Sequence, residues 1–218
     1  MIWRIFDSKF IKQTIFFVDL YRKIYYRIIL NCFKCKVILL VGARQVGKTT
    51  LLRKVQRDIN VSSIWLNADE ADVFNNLSSA DTSTRLLQII GKENKLAIID
   101  EAHQIPDIGK KLKLFIDTYP DKQIIATGSS AFDLLDSTNE PLTGRKKELK
   151  IYPLSFEELV NAKTLIEEKR SMPLRLIYGS YPEVVINSGN EKEVLLELAN
   201  SYLYKDILKF EGIRKASV

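Results

Sequence analysis

The chain is poor in the residues that build metal centres and covalent staples. Its 218 residues include two cysteines, Cys32 and Cys35, and one histidine, His103. A lone C-x-x-C needs a second pair of ligands to hold zinc, and His103 lies far downstream, so a zinc site is not expected. A redox pair would lack its usual surroundings, and both cysteines read as ordinary thiols of a reducing compartment. Long hydrophobic runs are missing too. Charges interrupt Met1–Leu30 every few residues, so no secretory leader is expected there, and no stretch of about 18 apolar residues is present to span a bilayer. Internal repeats and low-complexity tracts are absent. The expected compartment is the cytoplasm.

What remains is an ordinary globular composition, 46% hydrophobic and 28% charged. The length suits one large domain, or one domain with a small appendage, burying about 70% of the unfolded surface without staples. The net charge of +6 is unevenly placed: Arg4, Lys9, Lys12, Arg22, Lys23, Arg27, Lys34 and Lys36 face only Asp7 and Asp19 within residues 1–38. Such an arm can touch nucleic acid or an anionic surface, but a solvated face is the preferred reading. Ile11, Ile15, Val18, Tyr25, Tyr26 and Ile29 recur at helical spacing, which predicts an amphipathic helix, packed on the domain that follows or, as the alternative, lying on a membrane surface.

The most informative stretch is Val37–Thr50, VILLVGARQVGKTT. An apolar run ends at Gly42, and a helical pattern of Leu51, Leu52, Val55 and Ile59 begins after Thr50. Between them, Gly42, Ala43, Arg44, Gln45, Val46, Gly47, Lys48 and Thr49 fit G-x-x-x-x-G-K-[ST] at every fixed position. Two glycines let the backbone curl, so that successive N–H groups form a nest for phosphate oxygens. The following helix adds its positive N-terminal end. Lys48 can reach the β- and γ-phosphates, and the Thr49 hydroxyl can ligate Mg²⁺. These residues, through Thr50, predict nucleotide binding.

Further strands are expected at Ser63–Asn67, Lys95–Asp100, Gln123–Thr127 and Glu148–Tyr152, with a helix within Val73–Ile90 and another carrying Ile108, Leu112, Phe115, Ile116 and Tyr119. Alternating strands and helices imply an α/β fold, a parallel sheet with helices on both faces. Beyond Pro153 the pattern becomes helical only. Phe156, Leu159 and Val160 mark one helix, and Leu195, Leu198, Ala199 and Tyr202 another, which predicts a small helical lid.

The strand Leu96–Ile99 ends in Asp100-Glu101. An Asp in that place holds Mg²⁺, and the adjacent Glu can act as base toward the attacking water. Asp100 is therefore the expected metal residue beside Thr49, and Glu101 the catalytic base. His103 reads as a loop histidine without a chemical role. Thr127, at the end of the next strand, is placed to sense the γ-phosphate or the water, with Ser129 second. A helix cap at Ser129 or Ser130 is the competing reading. Arg145, before the fifth strand, suits stabilisation of transition-state charge on a neighbouring subunit's phosphate; with Lys146 and Lys147 it equally suits a solvated basic turn.

Taken together, these stretches resemble the AAA+ superfamily of P-loop ATPases. The likeness is to a largely uncharacterised bacterial and archaeal branch whose core is followed by a helical lid, a winged-helix segment and a nuclease-like region. It is carried by GARQVGKTT at 42–50, IIDEAHQIP at 98–106, ATGSSAFDLL at 126–135, LTGR at 142–145, PLSFEEL at 153–159, GSYPEVV at 179–185 and YLYKDI at 202–207. The resemblance implies Walker A and Walker B elements, a sheet of order 5-1-4-3-2, and ATP with Mg²⁺ bound at the strand C-termini beneath the lid. ATP over GTP follows from it and from the lack of an N-K-x-D guanine signature.

The division this implies is a basic helical segment at 1–36, an ATPase core at 37–153 and a lid at 154–218. The sequence stops at Val218, where the members of the branch continue, so the lid is expected to be cut short. The implied activity is ATP hydrolysis driving a molecular switch. The alternative is a nucleotide-holding interaction module with little turnover. A DExH-type helicase, suggested by DEAH and ATGSS, needs a second RecA-like domain for which no room remains. Partners admitted by the sequence are ATP, further copies of the chain, and nucleic acid.

Overall fold

The computed structural model describes residues 22–128 and 142–209, with side chains up to residue 200. The expected Ile11, Ile15 and Val18 of the first helix, the serines Ser129 and Ser130, and residues 131–135 of the stretch ATGSSAFDLL lie outside the described residues. The chain divides into two compact units, one ending at Tyr152 and the other beginning at Pro153.

In the first unit β1 (Val37–Val41) is five apolar residues buried on both faces, as only a central strand of a covered sheet can be. Around it lie β2 (Ser63–Asn67), β3 (Leu96–Asp100), β4 (Gln123–Gly128) and β5 (Lys146–Lys150), in the order β2-β3-β4-β1-β5. Every neighbouring pair is parallel. This is the expected order 5-1-4-3-2, read from the other edge. β3 and β4 are buried along their whole length, while the edge strands β2 and β5 each bury one residue, Leu66 and Leu149. At roughly 1.5–3 kcal/mol per buried aliphatic side chain, the three central strands form the middle of the unit's core, which the buried faces of the helices complete.

The helices are α1 (Lys23–Asn31), α2 (Lys48–Ile59), α3 (Ala71–Ser78), α4 (Ser83–Ile90) and α5 (Ile108–Thr118). Helix α1 buries Ile24 and Ile28, whereas Tyr26 of the expected stripe is half exposed. Its rotation is fixed by neighbours that the sequence does not announce. The Tyr25 hydroxyl donates to Asp58 at 2.7 Å, and Arg22 donates to the Tyr152 carbonyl at 2.6 Å. The stretch Val73–Ile90 holds two helices. Thr82 caps α4 by accepting from the Arg85 amide at 3.2 Å. The end of α3 is held by buried Lys111 of α5, whose Nζ donates to the carbonyls of Ser78 and Ala80, both at 2.9 Å.

Strand β5 starts two residues earlier than the apolar pattern suggests. Its register follows β1: Val37 pairs with Lys146 and Val41 with Lys150, while Ile151 lies beyond the end of β1. Buried Gln123 ties the loop after α1 to β4, its amide accepting from the Phe33 N–H at 2.6 Å and donating to the Lys36 carbonyl at 3.0 Å.

The second unit is helical: α6 (Phe156–Ala162), α7 (Leu165–Tyr178), α8 (Pro182–Ile186) and α9 (Glu191–Lys209). PLSFEEL contains a capping box, in which the Glu158 amide donates to Ser155 Oγ and the Ser155 amide donates to Glu158 Oε2. GSYPEVV contains left-handed Gly179 and Pro182 at the first turn of α8. The two motifs meet where the Leu154 amide donates to the Ser180 carbonyl at 2.9 Å. Val184, Val194 and Leu198 form the buried cluster of this unit. Among the described residues no helix is long and apolar enough to cross a membrane.

Candidate functional site

The C-terminal ends of β1, β3 and β4 bring together the loop 42–50, Asp100, Glu101 and Thr127. The loop is strained where it turns: Gln45 (φ 56°) and Gly47 (φ 94°) occupy the left-handed region. Around the Cβ position of Gly47 there is open space, so nothing but its backbone conformation demands glycine there. Gly42 is different. It has no left-handed φ; instead a Cβ would sit 2.4 Å from the Ile151 carbonyl oxygen and 2.6 Å from its Cγ2. The first glycine is thus required by close approach of the backbone just after β5, and not by curling of the loop as the sequence suggests.

A Gly42→Ala variant has no flexible atom to displace, because the nearest one is backbone. It is expected to lose about 1–3 kcal/mol of stability, read as a lowered urea midpoint with unchanged slope. A midpoint equal to wild type would refute the close-approach account.

Val46, almost fully buried, anchors the loop while Ala43 and Gln45 face outward. Lys48 is buried, and its Nζ donates to the carbonyls of Gly42 at 2.8 Å and Ala43 at 3.0 Å. Burial lowers its pKa, and Glu101 and Asp100 pull it partly back. The ammonium therefore spans the mouth of the loop and is held by carbonyls that phosphate oxygens can replace. The first amides of α2 open beside it, a twelve-residue helix with no acidic residue in its first turn.

Asp100 is the point of convergence. Its Oδ2 accepts from the Thr49 hydroxyl at 3.1 Å, and its Oδ1 accepts from the Thr127 hydroxyl. Thr127, fully buried, also accepts from the Glu101 amide at 3.0 Å. One hydroxyl thus joins the Asp100 carboxylate to the Glu101 backbone, and its hydrogen bonds lie within the protein. Thr49 and Asp100 offer hard oxygen donors, and no group of three or more His, Cys, Asp or Glu side chains is gathered among the described residues. That set fits Mg²⁺, which takes one or two protein oxygens and completes its shell with waters and substrate phosphates.

Glu101 sits in the left-handed region (φ 53°), and the Lys48 charge acts on its carboxyl. Burial raises its pKa, Asp100 and Asp69 add to the rise, and Lys48 and Arg44 oppose it. A carboxylate raised in this way is better matched to accepting a proton near neutrality. His103, expected to be idle, lies with Nδ1 3.3 Å from Glu101 Oε2 and its side chain buried. Gln104 donates to Asp69, linking the loops after β3 and β2. Neither contact was legible beforehand, since the residues of DEAHQ look like an ordinary polar loop.

Arg145 is not brought to this cluster. Its carbonyl accepts from the Val37 amide, at the opposite end of β1, about 16 Å of strand away from Gly42. Its guanidinium pairs with Asp117 on the half-exposed surface.

The AAA domain family matches residues 34–160. The chain is 26% identical to an uncharacterized protein of Haemophilus influenzae, over 81% of this chain and 47% of that one. It is 28% identical to an uncharacterized protein of Methanocaldococcus jannaschii, over 81% of this chain and 37% of the other. The chain thus spans about half or less of the length of these relatives. In structure it is similar to a Walker-type ATPase of Pyrococcus abyssi, with TM-score 0.61 and 17% identity over 87% of this chain and 75% of that one. It also resembles domain III of the Thermotoga maritima replication initiation protein DnaA, with TM-score 0.50 and 16% identity over 90% of both. These two likenesses are of fold.

Proposed function

The chain belongs to the AAA domain family of P-loop ATPases, and from that premise we propose that it binds ATP with Mg²⁺ and hydrolyses it as a molecular switch. The observation that carries this reading is the meeting of Thr49, Asp100 and Thr127 beside Lys48 and Glu101 at the strand ends.

In this reading the amides of residues 42–50 and the start of α2 hold the phosphates, and Lys48 exchanges its two carbonyl partners for β- and γ-phosphate oxygens. Thr49 and Asp100 would hold Mg²⁺, which when bound would neutralise charge on the phosphates. Glu101 takes a proton from water as the water oxygen bonds to the γ-phosphorus and the bond to the β,γ-bridging oxygen breaks. Glu101 then passes the proton to phosphate or solvent as ADP and phosphate leave, which restores the base. Thr127 serves sensing through Asp100 and the Glu101 backbone, since its hydroxyl already joins them. Residues 37–153 act as the core, with 154–218 as the responding helical part. A reducing cytoplasm is the setting that two free thiols, Cys32 and Cys35, suit.

The far position of Arg145 supports a role toward a second copy's nucleotide. The test is steady-state phosphate release from Mg²⁺-ATP across a range of protein concentrations. Specific activity is expected to rise with concentration, and Arg145→Ala to abolish that rise while leaving nucleotide binding intact. A flat concentration profile unaffected by Arg145→Ala would exclude the role in trans. Tight binding with no release at any concentration would favour the nucleotide-holding module instead.

A further inference from the structure

We infer that His103 is a positioning residue, holding the Glu101 carboxylate in one orientation. The inference rests on the base role proposed for Glu101 in its kinetic consequence, though not in the contact itself. Three observations carry it. The His103 Nδ1 lies 3.3 Å from Glu101 Oε2, and the imidazole is buried rather than solvated. Glu101 Oε2 is itself buried and accepts no hydrogen bond in this geometry, and it is the oxygen that His103 faces. The backbone between the two residues is fixed at both ends of the turn. The Glu101 amide is held by Thr127, and Ala102–Gln104 form a 3-10 turn whose Gln104 amide donates to the Glu101 carbonyl at 3.1 Å. Gln104 is tethered in turn to Asp69.

A carboxylate side chain with one free terminal torsion rotates broadly unless a neighbour selects an orientation. An imidazole N–H at Oε2 selects one, and turns Oε1 toward the water that must lose a proton. A separation of 3.3 Å is within the range that tightens when substrate closes a site. The charged groups facing Glu101 from other elements are Lys48, Asp100, Asp69 and Arg44. None of them can replace a directional donor at Oε2: two are acids, and the two cations act from the phosphate loop.

The test has two arms. In the first, kcat and KM for Mg²⁺-ATP are measured for wild type, His103→Ala and His103→Gln. Loss of an outer group that orients a reacting one costs roughly 10- to 100-fold. The expected result is that fall in kcat for His103→Ala with KM within about twofold, and recovery of most of the rate by His103→Gln, whose amide restores a donor. A kcat for His103→Ala within about twofold of wild type would overturn the inference, as would equal loss in both variants.

The second arm needs no turnover. His103 is the only histidine, so its ring ¹⁵N signals are self-assigned in an NMR spectrum of the full chain. They are expected to move on Glu101→Gln; unmoved signals would overturn the contact outright. If wild type itself releases no phosphate, the hydrolysis reading fails, and the ring signals alone still decide whether His103 holds Glu101.

Discussion

Glu101→Gln is expected to lower ATP turnover by about 10²–10⁴-fold, the range for removing a general base. The amide is nearly isosteric, the Glu101 N–H to Thr127 is a backbone bond that survives, and Lys48, Thr49 and Asp100 are untouched. Binding of a fluorescent ATP analogue should therefore stay within a few-fold of wild type. Unchanged turnover would remove Glu101 from the mechanism.

The same variant carries a stability signature. Burial raises the folded-state pKa of Glu101 above its unfolded value. Between those two values the folded chain keeps a proton that the unfolded chain releases, so wild-type stability falls as pH rises through the carboxylate range. Glutamine has no such liability. Measured in EDTA without nucleotide, Glu101→Gln should be the more stable protein at neutral pH, and the gap should close on acidification below the unfolded carboxylate value.

Lys48→Ala is expected to abolish both turnover and the stabilisation that Mg²⁺-ATP confers. An excess of nucleotide of about 100-fold over Kd stabilises by about 2.7 kcal/mol, which moves the midpoint of a chain this size by roughly 5–10 °C. Lys48 supplies the cation at the mouth of the loop, where its Nζ already bridges Gly42 and Ala43. Without it the phosphates meet amides alone. Thermal midpoints with and without Mg²⁺-ATP test this directly. A Lys48→Ala protein stabilised as much as wild type would mean that the nucleotide is held elsewhere.

The Haemophilus influenzae and Methanocaldococcus jannaschii relatives extend well beyond the region they share with this chain. Output in those proteins can reside outside that shared region, which makes hydrolysis by residues 37–153 the property to establish first.

Much of the fold was legible because each feature rests on local chemistry. VILLV and LAII are continuous apolar runs, which only strands covered on both faces bury. GARQVGKTT announces a phosphate nest by spacing alone, and Asp100-Glu101 follows a buried strand. In each case the cause and the effect lie within a few residues, so the sequence suffices.

What the tertiary structure decided depends on partners far away along the chain. Gly42 is glycine because Ile151 presses on it from more than a hundred residues downstream. The start of β5 was set by pairing with Val37 and not by its own apolar residues. Helix α1 turned Ile24 and Ile28 inward because of Asp58 and Tyr152. Thr127 was legible as a strand-end hydroxyl, but only the side-by-side placement of β3 and β4 makes it the bond between Asp100 and Glu101. Arg145 lies one strand length from the phosphate loop of its own chain for the same reason: parallel strands send all their C-terminal ends to one edge and all their starts to the other. Periodicity and motif spacing encode what a residue needs within a turn or two. Register, close approach and the company a side chain keeps are properties of the assembled sheet, and arise only when its strands are laid together.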